Sequence, residues 1–247
     1  MMNSSGNANR RAQCGYHLTS SGEFIVPLGV SSVRVLVVGG GAGGGSGYAG
    51  GGGSGYVQVE DVSVRQFQRI TIVVGKGGQG SGYRVGDGTQ NSTAGGLSAF
   101  GHYLFANGGI APTTSWQGSA GGSGGGGPSG FNSLSGAGGT DGGAGVNAWQ
   151  NGGSGQGTFS NRLRSFKLNS FAPGSGGAGG TISSGQVGGG GGGGVLMNGK
   201  GPVGGNGKYA RGGVGYGAGG GGGYSTNSHW YGGGNGTDGL VYVEWYW

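Results

Sequence analysis

Glycine fills 78 of the 247 positions, and this restricts the possible folds more than any other feature. Collagen requires glycine at every third position without a break. Here Gly188–Gly194 is seven in a row, and Gly124–Gly127 runs straight into Pro128. Charged residues make up only 8% of the chain, which is not the composition of ordinary disorder. Glycine costs about 1 kcal/mol per helical position relative to alanine, and no window carries a helical period, so α-helix should be nearly absent. Poly-glycine can instead adopt an extended left-handed threefold helix rising about 3.1 Å per residue without internal hydrogen bonds. One such helix alone in a dry core would leave every N–H and C=O unpaired. Several side by side satisfy one another, helped by Cα–H···O contacts.

A second texture alternates with the glycine. Phe24–Val30, Val33–Val38, Tyr56–Val64, Ile70–Val74, Leu97–Ala106 and Leu240–Trp247 are short, rich in β-branched or aromatic residues, and bounded by glycine. That is a strand signature. Tyr56/Gln58/Glu60 alternates with Val57/Val59, and Leu240/Tyr242/Glu244 with Val241/Val243/Trp245. Such strands are expected to bury one face and wet the other. The predicted class is all-β: a small antiparallel β-sandwich carrying an inserted bundle of polyglycine II helices. The predicted organisation is an N-terminal arm (1–21), a β framework with short glycine-rich insertions (22–106), the bundle (107–239) and a closing C-terminal strand (240–247). The bundle segment holds 52 of the 78 glycines. Its non-glycine stretches, among them 112–117, 146–151, 158–173, 195–200 and 224–231, are predicted turns at the bundle ends.

The chemistry of the chain is sparse. Thirteen Lys and Arg against seven Asp and Glu give a net charge of +6, but the cations are scattered, without the basic stripe or module that nucleic-acid binding uses. Cys14 is the single cysteine, so no internal disulfide exists, and a small apolar packing role suits it better than a nucleophile's. The seven carboxylates and His17, His102 and His229 show no metal-ligand spacing. Gly39–Gly44 matches the dinucleotide fingerprint G-x-G-x-x-G after a strand, yet the helix that must follow it is replaced by Gly45-Ser46-Gly47-Tyr48. Gly75-Lys76-Gly77-Gly78 lacks the Lys-Ser or Lys-Thr of a phosphate loop. No enzyme activity, metal or cofactor is expected. Neither an apolar leader nor a membrane-spanning stretch is visible, so the expectation is synthesis in a host cytoplasm with no membrane insertion.

Phe24-Ile25-Val26-Pro27-Leu28-Gly29-Val30 leading through Val33–Val35 into Gly39–Gly45 resembles a family of glycine-rich domains. So do Gly55-Tyr56-Val57, Ile70–Gly78 and the closing Gly236-Thr237-Asp238-Gly239-Leu240-Val241-Tyr242-Val243. The family is common in tail-fibre and virion proteins of tailed bacteriophages, and a related arrangement occurs in anaplastic lymphoma kinase. The resemblance implies a glycine-helix frame and a virion protein, in a tail fibre or its tip, reading a host surface glycan or protein through loops between helices. The runner-up is a purely structural decoration or connector. Trp116, Trp149, Arg162, Arg164, Trp230 and Tyr231 are the candidate receptor-binding residues, since aromatic rings beside hydrogen-bond donors suit sugars and dominate interfaces. The plain alternative is that these aromatics cap the glycine bundle. Expected partners are other virion proteins and further copies of the chain, a neighbour holding the polar arm at Met1–Cys14.

Overall fold

The run Val33-Arg34-Val35-Leu36-Val37-Val38 offers apolar side chains to both faces of a strand, and the fold uses both. The computed structural model describes residues 13–46, 50–82, 84–85, 92–112, 117–122, 124–127, 163, 166–173, 176–177, 188–197, 212–223, 225–226 and 229–246. Among these residues there is no α-helix, and the chain is all-β. Strand β3 (Ser32–Val38) pairs antiparallel with β4 (Val57–Ser63) on one side and β13 (Leu240–Tyr246) on the other. β1 (Gln13–Leu18) adds outside β13, completing a four-stranded sheet. A second antiparallel sheet runs β2 (Gly22–Ile25), β5 (Arg69–Val73), β7 (Ser98–Phe100), β8 (Leu104–Ala106).

The two sheets face each other across one core. Val33, Val35 and Val37 of β3, with Val241, Val243 and Trp245 of β13, meet Phe24, Ile70, Ile72, Phe100 and Leu104. The Phe24 ring lies 5.6 Å from Trp245 and 5.9 Å from Phe100. Each large side chain buried here contributes about 1.5–3 kcal/mol. The C-terminal strand therefore ties the sandwich together from the middle of its sheet.

The other face of the first sheet is not wet, which corrects the alternation argument. Leu240, Tyr242 and Glu244 are 0%, 1% and 1% exposed. Leu163, Phe166, Phe171 and Val195 lie over them, together with Leu36, Val38, Val57 and Val59. Phe171 and Val195 belong to a small antiparallel pair, β9 (Phe171–Pro173) and β10 (Val195–Met197). These stretches were predicted as turns, yet they form a second apolar layer. A near-continuous apolar run such as β3 is what a doubly buried strand requires.

The stretch predicted as an arm also contributes to the sheet. Gln13 pairs with Tyr246 and Cys14 with Trp245 of the same chain, so the end of the proposed exchanged arm is held by its own domain. β13 would otherwise be an open edge, and β1 closes it. Cys14 packs half-buried against the sandwich core. Residues 1–12 lie outside the described residues.

Strand polarity sets where the glycine goes. β3 runs into residues 39–46, β5 into 75–82 and β8 into 107–112, while β4, β7 and β13 are entered from 50–56, 92–96 and 231–239. All six junctions fall at the same end of the sandwich. The glycine runs continue the strands outward as a parallel set of rods.

Candidate functional site

The rods make their hydrogen bonds with a period of three, as a threefold helix must. In the run 39–45, the N–H groups of Gly39 and Ala42 donate to Tyr56 and Gly53; those of Gly40 and Gly43 donate to Gly96 and Thr93; those of Gly41 and Gly44 donate to Thr237 and Gly234. The carbonyls serve three further runs: Gly40 accepts from Gly109, Gly41 and Gly44 accept from Gly78 and Ser81, and Ala42 and Gly45 accept from Gly220 and Gly223. One helix thus has six hydrogen-bonded neighbours, a hexagonal lattice. The run 50–56 also has six, bonding to 39–45, 107–110, 119–122, 217–220, Gly126 and Gly192. These two runs, which read from sequence as short insertions in the β framework, lie at the centre of the bundle. Gly188–Gly194, expected inside it, is there: Gly190, Gly191 and Gly192 accept from Gly126, Gly177 and Gly219, and Gly192 donates to Gly52.

At most of the glycine positions the lattice spacing leaves no room for a side chain. A Cβ on Gly43 would stand 2.0 Å from the Gln79 carbonyl oxygen, and one on Gly44 would stand 2.1 Å from that of Gly221. This also removes the dinucleotide reading of Gly39–Gly44, whose N–H groups, the donors a phosphate would need, all bond to protein carbonyls. Where a rod borders a neighbour that lacks a suitable carbonyl, a short polar side chain substitutes. Gly77 and Gly80 donate to the side chains of Asp238 and Asn235, Gly75 to Ser98 Oγ, Ala218 to Thr237 Oγ1 and Gly233 to Ser81 Oγ. Burial alone would raise the Asp238 carboxyl. The Lys76 ammonium, 2.8 Å away, and the Gly77 N–H outweigh it and hold the group below its ordinary range.

At the outer end, three runs pass into a small sheet ordered β11 (Ser225–Thr226), β12 (His229–Trp230), β6 (Arg84–Val85). Trp230 pairs with Ser225 on one side and Arg84 on the other. The run 75–82 has eight residues, so at about 3.1 Å each this sheet stands roughly 25 Å beyond the sandwich. Tyr231 follows directly and is half-buried, its carbonyl against Gly223. The backbone at Trp230 and the adjacent Tyr231 thus stand at the bundle tip. Trp116, Trp149, Arg162 and Arg164 lie outside the described residues. Leu163, between the two arginines in sequence, is 1% exposed and packs in the apolar layer over the sheet.

One functional-looking cluster escaped sequence reasoning, because Glu244 was assigned to a wet face. Its carboxylate accepts from the backbone N–H of Lys167 and Leu168 (3.1–3.2 Å), from the Tyr242 hydroxyl (3.2 Å) and from the Gln13 amide. A carboxylate held by two successive N–H groups is a clamp on the 166–168 segment. Burial pushes the Tyr242 hydroxyl up to about 12; the Glu244 charge and hydrogen bond add to this, while an Asn169 hydrogen bond opposes it. Gly15 makes room for the Tyr242 ring, since a Cβ there would sit 2.2 Å from the hydroxyl. His17 stands edge-on to Tyr242 at 5.5 Å. Its Nε2 is buried without a hydrogen-bond partner, and burial lowers its pKa from 6.5. The group has a locking geometry. Among the described residues no cluster of three or more His, Cys, Asp or Glu could hold a metal ion, and no helix is long and apolar enough to cross a membrane.

The sequence profile of the family described as glycine-rich domain matches residues 19–246. The chain belongs to that family. Among curated proteins, none matches it.

Proposed function

We propose that this glycine-rich domain is a non-enzymatic virion protein of a tailed bacteriophage, placed in a tail fibre or at its tip, and that it binds a host surface glycan or protein with the outer end of its bundle. The observation that carries this reading is the six-neighbour lattice around residues 39–45. A rod in which a Cβ at Gly39, Gly40, Gly41, Gly43 or Gly44 would meet backbone, and which holds only alanine besides glycine, has little chemistry to vary along its length, so recognition is left to the loops at its end. A rigid scaffold presenting variable tips is the usual division of labour in binding proteins. Of the candidate receptor-binding residues, Trp230 and Tyr231 are the described ones at that tip. Further copies of the chain and other virion proteins are the partners we propose, with residues 1–12 as the segment a neighbour would hold.

The second reading is a decoration or connector without a receptor of its own. It draws on the half-burial of Tyr231, which suits an aromatic that covers the end of a glycine core. Alanine at Trp230 and Tyr231 separates the two. Under the adhesin reading, adsorption of variant particles to host cells falls while the melting temperature of the purified protein stays within about 2 °C, the shift of less than 1 kcal/mol in a chain of this size. Unchanged adsorption with lost stability would give the site to the capping role.

A further inference from the structure

The opposite end of the sandwich carries a feature that the glycine frame does not explain. It is formed by loops 26–31, 64–68 and 101–103, at the strand ends away from the bundle. Phe67 has φ +62° and is the one non-glycine residue with positive φ among the described residues. It is the third residue of a turn in which Gln68 N–H donates to the Arg65 carbonyl at 3.0 Å, and its own N–H donates to Val26. The left-handed region is strained for a bulky side chain. The neighbouring loops solve the same problem with glycine, Gly29 at φ +79° and Gly101 at φ +54°. In a chain with 78 glycines, a phenylalanine at this position is conspicuous. Nor does packing compensate for the strain, since the residue is 63% exposed. Strain of this kind concentrates where a side chain must be presented.

What the ring is presented to is a surface groove of about 800 Å³ lined by Phe67, Ser63, Arg65, Gln66, Gln68 and Tyr103. Its polar groups are preorganised. The Gln68 side chain accepts from Arg65 N–H at 3.1 Å and donates to the Tyr103 oxygen at 2.7 Å. Because that oxygen already accepts, the Tyr103 O–H proton is turned away from Gln68 and stays available as a donor. Among the described residues Gln66 uses only its amide oxygen, in a long 3.4 Å contact from Gly29 N–H, which leaves its two N–H donors for a ligand. Arg34, Arg69 and Lys76 are ion-paired, whereas Arg65 has no ion pair among the described residues.

We propose that this groove is a binding site for a neutral pyranose sugar, separate from the bundle tip. An apolar sugar face stacks on the Phe67 ring, and the Tyr103 hydroxyl, the Gln66 amide and the Arg65 guanidinium donate to the ring hydroxyls. An exposed aromatic plane beside several fixed donors matches the two-sided chemistry of a pyranose. An apolar protein partner would find the ring but would leave those donors unpaired.

The test is saturation-transfer NMR on the full chain with the methyl glycosides of glucose and galactose and with N-acetylglucosamine. Saturation is expected at ring C–H protons of at least one of them. Phe67→Gly should weaken that binding by about tenfold, equivalent to about 1.4 kcal/mol, while the melting temperature holds or rises, since glycine suits the backbone there. Tyr103→Phe should weaken it several-fold without unfolding, and Phe105→Ala, at an exposed aromatic on β8 outside the groove, should leave it unchanged. Absence of transfer from all three sugars overturns the proposal. So does transfer that survives Phe67→Gly, or transfer that disappears with Trp230→Ala, which would move the sugar to the bundle tip. A Phe67→Gly protein that melts lower would make Phe67 a packing residue and overturn it as well.

Discussion

Gly41→Ala puts two rules of opposite sign into competition, and the lattice geometry decides between them. Gly41 does not use positive φ. On dihedral grounds alone, alanine should stabilise by about 0.4–1 kcal/mol through a less flexible unfolded chain. Against this, the new Cβ would lie 2.0 Å from the Ala218 carbonyl oxygen, 2.4 Å from its carbon and 2.8 Å from the Gly217 oxygen. Carbon–oxygen contacts settle near 3.3 Å, so the rods 39–45 and 217–223 must separate by roughly 1.3 Å. Both neighbours are backbone, and no rotamer change relieves the contact. Separation breaks the bonds from Gly220 to Ala42 and from Gly223 to Gly45, each contributing about 0.5–1.5 kcal/mol net. Overpacking adds about 1–3 kcal/mol, occasionally more. The net loss is about 1–5.5 kcal/mol, which at about 2–4 °C per kcal/mol lowers the melting temperature by about 2–22 °C. Ala42→Gly is the internal control. Ala42 is fully buried in the same rod yet accommodated, and its loss should cost only about 1 kcal/mol for one methyl group. Thermal melts followed by circular dichroism read both. A Gly41→Ala protein that melts with the parent would show that the rods slide apart at no cost, and the lattice argument would fail.

Glu244→Ala should destabilise by about 2 kcal/mol or more, because it leaves the buried Tyr242 hydroxyl without its acceptor at about 1–3 kcal/mol and removes the hydrogen bonds from the partly buried N–H groups of Lys167 and Leu168 at about 0.5–1.5 kcal/mol each; hydrogen exchange at Lys167 and Leu168 should accelerate, and unaltered protection there would remove the clamp. The pH dependence has two limbs. His17 has its pKa lowered from 6.5 by burial, so the unfolded chain binds its proton more readily; the contribution is intact above pH 6.5 and lost as pH falls through the lower folded value. Tyr242, pushed up to about 12 from 10.0, acts in the other direction, its contribution intact below pH 10 and lost as pH rises towards 12. Melting temperatures across pH should show the acid limb flattened in His17→Phe and the alkaline limb flattened in Tyr242→Phe; limbs unchanged in those variants would refute the assignments.

What was legible in the sequence follows from which forces are local. The strands at 33–38, 70–74 and 240–247 could be read within a residue or so, because β-branched runs bounded by glycine report on their own backbone. The threefold rods were legible for the same reason: glycine excludes other regular structures by itself. Which rod touches which was not legible, since Gly41 and Gly43 look identical in sequence although one faces Ala218 and the other Gln79. The burial of Glu244 depends on Leu163 and Phe166, more than seventy residues away in the chain, and alternation along one strand carries no information about a layer supplied from elsewhere. The clue lay in β3, whose apolar residues on both faces already called for two covering layers. Phe67 is the extreme case. Its side chain reads as one more aromatic in a turn, and only the backbone angle reveals that glycine was the easier choice. In a chain whose rods admit almost no side chain, the informative positions are those where a large residue stands in a place suited to glycine. The two ends of the molecule, Trp230–Tyr231 beyond the rods and Phe67 beneath the sandwich, are where this chain can afford chemistry.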